Sequence, residues 1–119
     1  MKFFIVLILI FFIASSIHKS SLQLYAKSDH SGKDLFYNSK GKYGSCNHCH
    51  KNGGSAGRWN FETQFLDQEE GRKIPVLKGI GKRKEKDQIE RSIQMMRKLF
   101  DFKLTDEQIS QLAEYLGTL

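Results

Sequence analysis

The sequence predicts a small all-α domain, and three observations lead to that prediction. Two stretches in the last third of the chain place apolar residues at helical spacing. Capping-box patterns precede the first and the last of the expected helices. No stretch shows a convincing alternation of apolar and polar residues, which would indicate a strand. We therefore expect about three to five helices in one small domain, of a size that often needs a stabilising staple.

The first expected helix opens at Ser31, where Ser-Gly-Lys-Asp has the S-x-x-D form of a capping box. This helix carries Leu35 and Phe36 as its apolar residues. Residues 39–45 are rich in glycine, lysine and serine, and residues 51–57 contain three glycines. Both stretches are therefore expected to be loops.

The middle of the chain gives weaker signals. Residues 59–71 are compatible with one weak helical turn, although their apolar residues are poorly spaced for a helix. Residues 74–81, with the sequence IPVLKGIG, surround the only proline of the chain. We expect this segment to be extended or turning, because proline removes a backbone donor.

The last two helices give the clearest signals. From Lys86 to Phe100, apolar residues recur at steps of four, three and four. That stripe consists of Ile89, Ile93, Met96 and Phe100. Thr105 and Gln108 have the T-x-x-Q form of a capping box, and Gly117 is placed to cap the C-terminus. The buried stripe of the last helix is expected to be Ile109, Leu112, Ala113 and Leu116.

The first residues have the pattern of a secretory signal peptide rather than of a folded element. Lys2 is a lone cation, residues 3–13 are an unbroken apolar run, and small residues follow. The run is shorter than the ~20 residues of a membrane-spanning helix. We expect a signal peptide over residues 1–26, although cleavage after Ser16 also fits, and an uncleaved membrane anchor is the alternative. After cleavage, residues 27–119 would form the mature domain, with no membrane span.

Export to a periplasm or an equivalent compartment narrows the possible chemistry. Outside the cytoplasm, free thiols oxidise unless something binds them. The formal net charge of +6 suggests acidic partners or anionic surfaces. Export and the lack of a recognition motif in the sequence both argue against a nucleic-acid partner.

Both cysteines of the chain lie in the sequence C-N-H-C-H, as Cys46 and Cys49, and His50 follows directly. A redox dithiol, a zinc site and a covalent haem site all use closely spaced cysteines. A thioredoxin-like dithiol needs a βαβ scaffold, and the sequence offers no strands to build one. Structural zinc needs four ligands. Besides His48 and His50, only His30 is available elsewhere in the expected mature domain.

A covalent haem site fits the motif best. Two intervening residues place both sulfur atoms on one turn, where each can form a thioether with a haem vinyl group. His50 then presents its imidazole to the iron from the proximal side, whereas His48 points away. The attachment enzymes work outside the cytoplasm, where the signal peptide would take the chain. The sequence therefore predicts one covalently bound haem c, with His50 as an iron ligand.

Beyond the motif, the chain resembles the monohaem class I c-type cytochromes. The stretch GKDLFYNSKGKYGSCNHCHKNGG is similar to the first helix, loop and haem site of that family. The stretch IPVLKGIGKR is similar to its G-P-x-L-x-G-x-x-x-R pattern, with Ile74 in place of the usual glycine. LTDEQISQLAEYLGTL resembles its C-terminal helix. The resemblance covers most of the mature chain and implies the small all-α fold of these proteins, wrapped around the haem.

The resemblance also implies roles for single residues. The Pro75 carbonyl would accept a hydrogen bond from His50 Nδ1–H and so orient the proximal ring. Arg83 matches an arginine that commonly pairs with a haem propionate. Trp59 and Phe61 would close the core or line the haem edge. The first and last helices would cross near-perpendicularly beside the haem, through Gly32, Phe36, Tyr115 and Leu116.

The second axial ligand of the iron decides the function. A methionine thioether keeps the iron six-coordinate, which suits electron transfer, whereas an open position admits small ligands. Met96 is the first choice because it shares the apolar face of its helix, and Met95 is the second choice. His30 and an open site remain alternatives. The family methionine usually lies in an irregular loop, whereas both methionines here lie in a helical stretch.

We therefore expect an exported monohaem c-type cytochrome that carries single electrons between redox partner proteins and is not itself an enzyme. The alternative is a haem subunit with an open or weakly held sixth site, which binds small gases or serves within a larger oxidoreductase complex. Partners would dock through acidic surfaces onto lysines around the haem edge. The candidates are Lys33, Lys40, Lys42, Lys51 and Lys78.

Overall fold

The computed structural model describes residues 31–119, so the expected signal peptide over residues 1–26 and His30 lie outside it. The described part of the chain contains four helices and a three-stranded antiparallel sheet. The helices are α1 Ser31–Asn38, α2 Cys46–Cys49, α3 Lys86–Leu99 and α4 Asp106–Gly117. The strands are β1 Arg58–Asn60, β2 Phe65–Asp67 and β3 Arg72–Lys73. Single turns of 3-10 helix lie at Lys51–Gly53 and Ile80–Lys82.

The prediction of an all-α fold is wrong, because the stretch between the cysteine motif and Pro75 forms a sheet. β1 lies in the middle, with β2 and β3 paired to it on either side, so that Trp59 lies opposite Leu66 and Arg72. The strands are three, three and two residues long. Alternation over so few residues is indistinguishable from irregular chain, which is why the sequence did not reveal them. This stretch therefore holds strands instead of the weak helical turn expected over residues 59–71.

Side-chain oxygen atoms build the two turns of the sheet. Asn60 Oδ1 accepts hydrogen bonds from the backbone N–H groups two and three residues further on, at 3.0 and 3.2 Å. Asp67 Oδ1 makes the same pair of contacts at 2.9 and 3.1 Å, and these bonds hold the pKa of Asp67 below its ordinary value. Such turns replace a backbone acceptor by a side-chain oxygen. They therefore allow the chain to reverse after strands of only three residues.

The hydrophobic core lies among the three longer helices, with α1 and α3 both packed on α4. Its most deeply buried side chains are Phe36, Ile89, Ile109 and Leu112. Gly32 lies so close to α4 that a Cβ atom there would be 2.7 Å from Tyr115 Cβ. The rings of Phe36 and Tyr115 lie 5.8 Å apart. The expected contact between the first and last helices is therefore present.

The two long helices begin at capping boxes. Thr105 Oγ1 accepts from Gln108 N at 3.2 Å and Thr105 N donates to Gln108 Oε1 at 2.9 Å, which confirms the predicted box. At the start of α3, Glu85 N donates to Gln88 Oε1 at 2.9 Å. The S/T-x-x-E/Q rule misses this second box because glutamate occupies the N-cap. α4 ends at Gly117, and the residue after it is the C-cap, one position later than predicted.

An aromatic cluster connects the sheet to the helices. The Trp59 ring on β1 is 5% exposed and lies 4.9 Å from the Tyr43 ring and 5.5 Å from the Phe100 ring, between centroids. Trp59 therefore closes the core, whereas Phe61 is 51% exposed in the first turn of the sheet and does not. Between residues 31 and 119, no helix has the length and apolar character that crossing a membrane requires.

Candidate functional site

The C-N-H-C-H motif folds into the single helical turn α2 and the residue after it. Gly44 enters the turn with φ of 123°, a conformation that residues with side chains rarely adopt. Cys46 and Cys49 are the first and last residues of α2, and the i,i+3 spacing places their side chains on one face. His50 is the C-cap, and its N–H donates to Cys46 O at 3.0 Å. The turn therefore presents two thiols and one imidazole close together.

Both thiols are free and partly buried. Burial raises the pKa of Cys46, and the Ser39 hydroxyl, 3.6 Å from its Sγ, opposes that shift. Burial also raises the pKa of Cys49, and charge on Cys46 would raise it further. A redox dithiol needs a lowered thiol pKa, and the sheet of this protein is antiparallel rather than part of a βαβ unit. These two observations argue against the dithiol alternative.

The imidazole of His50 is fixed by the backbone of a distant segment. Its Nδ1 lies 2.9 Å from the carbonyl oxygen of Pro75, which is the contact that the resemblance implies. A carbonyl oxygen only accepts, so Nδ1 carries the proton and Nε2 keeps its lone pair. Burial lowers the pKa of His50, although backbone interactions with Pro75 and Gly54 work in the opposite direction. The ring is therefore neutral at pH 7, which is the form that binds metals.

The loop that carries Pro75 is anchored next to His50. Leu77 N and Lys78 N both donate to the carbonyl oxygen of Gly53, each at 2.8 Å. Gly53 is buried and lies only three residues after His50. The imidazole and the carbonyl that it contacts are therefore held on one framework, although 25 positions separate them in the sequence.

Arg83 contacts the same loop from another side. Its Nη2 donates to Val76 O at 3.0 Å, and its Nη1 donates to Lys78 O at 2.9 Å. The pairing of Arg83 with a haem propionate stays a prediction. The contact with the loop is not readable from the sequence, because main-chain carbonyl groups are supplied by every residue type.

Asn52 stabilises the motif on its C-terminal side through hydrogen-bonding contacts with two other residues. Asn52 has φ of 52°, and its N–H donates to Asn47 Oδ1 at 2.7 Å. The Tyr37 hydroxyl lies 3.4 Å from Asn52 Oδ1, within hydrogen-bonding distance. These contacts tie α1, α2 and the following turn together, and the sequence reasoning missed them. The available signal was the Asn-Gly pair, because asparagine tolerates positive φ better than most residues.

The two candidate methionines lie on α3 with different exposures. Met96 is partly buried and continues the line of Ile89 and Ile93, which are buried in the core. Met95 is 54% exposed and lies one turn before Leu99, which is 51% exposed. Met95 and Leu99 thus form an apolar flank of α3 that is open to solvent. Binding of iron by either methionine stays a prediction.

The remaining candidate residues lie at the surface. All five lysines proposed for the haem edge are exposed. His48 is also exposed and lines a groove of about 330 Å³. The other residues of that groove are Tyr43, Trp59, Gln64, Phe65 and Leu66. Across residues 31–119 no three His, Cys, Asp or Glu side chains, those of the motif included, are grouped so that they alone could hold a metal ion.

The residues of α2 and the Pro75 loop fit a covalently attached haem. Two free thiols lie on one face of a single turn, as two thioether bonds to one porphyrin require. The imidazole next to them has its Nδ1 bound to the Pro75 carbonyl, so Nε2 is the nitrogen that would bind iron. In comparisons with known proteins, no family model, no curated protein and no solved structure matches this chain.

Proposed function

We propose that this protein is an exported monohaem c-type cytochrome that carries single electrons between redox partner proteins. One observation carries the proposal. Two free thiols lie in one helical turn, directly before an imidazole whose Nδ1 is bound to the Pro75 carbonyl. This combination supplies both covalent attachment points and an oriented axial ligand from a short segment. The predicted signal peptide supports the exported location.

Each residue of the site has a defined task in this function. Cys46 and Cys49 would hold the porphyrin through thioether bonds, and His50 Nε2 would bind the iron. The Pro75 carbonyl fixes the ring orientation and makes the imidazole a better electron donor. When bound, the haem supplies an iron that alternates between two oxidation states by one electron. The polypeptide therefore needs no acid–base group, which agrees with a carrier rather than an enzyme.

The second axial position distinguishes the carrier from its alternative. We propose Met96 as that ligand and Met95 as the second choice, because a thioether favours electron transfer over ligand binding. A haem subunit with an open sixth site would bind small gases or serve in a larger complex. Exposure of the reduced protein to CO separates the two functions. Slow or absent CO binding supports the carrier, and rapid binding supports the alternative.

The decisive experiment asks whether haem is attached at the two cysteines. The full chain is produced in a host that exports it and matures c-type cytochromes. We expect its intact mass to exceed that of the processed polypeptide by one haem, and a pyridine haemochrome spectrum to report two thioether bonds. The variant Cys46→Ser/Cys49→Ser should carry no covalent haem. His48→Ala is the matched control, because His48 lies in the motif without a role in attachment.

The same measurement can overturn the proposal. An exported and folded chain with the mass of its polypeptide alone would contradict it. Equal haem content in the wild type and the double serine variant would also contradict it, since haem would then be held without the cysteines. Retention of covalent haem by His48→Ala excludes a general effect of changing the motif.

A further inference from the structure

We propose that Arg83 is a positioning residue for His50. Its guanidinium clamps two carbonyl groups of the loop that carries Pro75, and thereby fixes the carbonyl that orients the imidazole. The inference rests on the proposed function, because it assigns Arg83 a part in setting the proximal iron ligand. It differs from pairing with a propionate, in which Arg83 would act on the haem directly.

The hydrogen bonds of the loop show what Arg83 contributes. Every carbonyl group from residue 75 to residue 79 accepts a hydrogen bond from another part of the chain. The His50 imidazole donates to the carbonyl of Pro75. Backbone N–H groups of the following turn donate to the carbonyls of Leu77 and Gly79, at 2.9 and 3.1 Å. The second and fourth, of Val76 and Lys78, accept from Arg83 at 3.0 and 2.9 Å. Without Arg83, these two groups would have to turn towards water.

The geometry of the guanidinium suits this task. Its planar fork holds two acceptors at a fixed separation, whereas the ammonium group of lysine is a single mobile point charge. The two acceptors lie on either side of Leu77, whose side chain is buried in the core and whose N–H is bound to Gly53 O. The loop is therefore fixed from two sides. Pro75 itself has no N–H with which to anchor its position.

Gly79 allows Arg83 to approach the loop. Gly79 has φ of 74°, and a Cβ atom there would lie 3.2 Å from Arg83 Nη1. A larger residue would be strained at this φ and would crowd the guanidinium. The loop sequence and the position of Arg83 are thus matched to each other.

This position has a consequence for the iron. A hydrogen bond from Nδ1–H to a carbonyl makes the imidazole a better electron donor, which favours the oxidised iron. If the Pro75 carbonyl moves away, that bond weakens and the midpoint potential rises. Removal of a nearby cation, by contrast, lowers the midpoint potential, because the loss of a positive charge stabilises the more positive oxidised haem. The sign of the change therefore separates the positioning role from a simple charge effect.

The test compares Arg83→Gln and Arg83→Lys with the control Lys84→Gln. Lys84 is exposed and carries the same charge one position further along the chain. The first readout is the hydrogen exchange of His50 Nδ1–H and of the Leu77 and Lys78 amides in the reduced protein. We expect about tenfold faster exchange in Arg83→Gln, a smaller change in Arg83→Lys, and none in Lys84→Gln.

The second readout is the midpoint potential. We expect a higher potential for Arg83→Gln than for Lys84→Gln, with Arg83→Lys between Arg83→Gln and the wild type. An equal or lower potential for Arg83→Gln, together with unchanged exchange, would overturn the positioning role and favour a direct charge effect on the haem.

Exchange of the Leu77 and Lys78 amide protons can be measured with or without haem, so it tests the inference separately from the proposed function. If even the wild type carries no haem, the proposed function fails, and exchange in the haem-free chain still shows whether Arg83 holds the loop. If the wild type carries haem but Arg83→Gln does not, amide exchange in the haem-free variant still shows whether Arg83 holds the loop. Wild-type protection of the Leu77 and Lys78 amides in haem-free Arg83→Gln would overturn the clamp.

Discussion

At the scale of single residues, the site is characterised by the protonation states of one imidazole and two thiols. His50 keeps its proton on Nδ1, because the Pro75 carbonyl can only accept a hydrogen bond. Cys46 and Cys49 keep theirs because burial disfavours the thiolate. The motif thus presents neutral groups, one of them with a lone pair ready for a metal. Folding strengthens this pattern, because burial moves the thiol and imidazole pKa values further from neutral pH than in the unfolded chain.

The raised thiol pKa values predict how the haem-free chain responds to alkali. The folded state holds the thiol protons more tightly than the unfolded state, so this contribution to stability is complete below the unfolded pKa of about 8.5 and is lost as pH rises above it. We expect the free energy of unfolding to fall from about pH 8.5 upwards, as measured by urea denaturation. Cys46→Ser/Cys49→Ser is the control, and an equal fall in that variant would assign the effect to other groups.

Substitution of each methionine in turn tests which of them is the second axial ligand of the proposed haem. Leucine has a similar volume, so each change should cost less than about 1.5 kcal/mol of stability. We expect Met96→Leu to lose the far-red sulfur-to-iron band of the oxidised protein and to bind CO rapidly when reduced. Met95→Leu should keep the wild-type spectrum. The reverse result would select Met95, and a wild-type spectrum in both variants would exclude both residues.

At the scale of elements, periodicity and capping identify the helices, whereas the sheet depends on contacts between short segments. The apolar stripe of α3 and the Thr105–Gln108 box locate the two long helices within about one residue. β1, β2 and β3 have too few residues to show a period. Their pairing depends on turns built by Asn60 and Asp67, which many loops also contain.

The contact between α1 and α4 predicts that Gly32 cannot be enlarged without cost. A Cβ atom at Gly32 would meet the Gln111 carbonyl and Tyr115 Cβ, so the helices would have to move apart. We expect Gly32→Ala to lower the free energy of unfolding by about 1–3 kcal/mol, as measured by urea denaturation. The control is Gly117→Ala, where a Cβ atom meets nothing within 4 Å and a change within about 0.5 kcal/mol is expected. Equal effects of the two variants would show that the close approach is not limiting.

At the scale of the whole molecule, the proposed function assigns to surface charge the steering of redox partners. The five exposed lysines lie on or between α1, the cysteine turn and the Pro75 loop. This places positive charge on the segments that frame the proposed haem site. A basic surface of this kind increases the rate of association with acidic proteins and loses effect as salt is added.

Salt dependence tests this surface directly. We expect electron transfer to an acidic redox protein to slow by about tenfold or more between low and physiological salt. An uncharged small-molecule oxidant is the control, and its rate should stay constant because it experiences no steering. A rate with the acidic protein that does not change with salt would contradict the steering role of the lysines. It would not bear on the proposal of haem attachment.

The sequence by itself determined the chemistry-bearing turn and the long helices, because both are encoded in neighbouring residues. Spacing places Cys46, Cys49 and His50 together, and local caps and apolar periods define α3 and α4. The Pro75 contact was reached only through a family resemblance, since nothing local links positions that far apart.

Tertiary structure alone decided the sheet, the pKa shifts of the site and the contacts of Arg83 with the proximal loop. Strand pairing joins segments that are too short to carry a signal of their own, and burial is a property of the packed chain. The acceptors of Arg83 are backbone carbonyl groups, which are the same in every residue. They meet the guanidinium because the chain turns at Gly79, two residues after Leu77 enters the core.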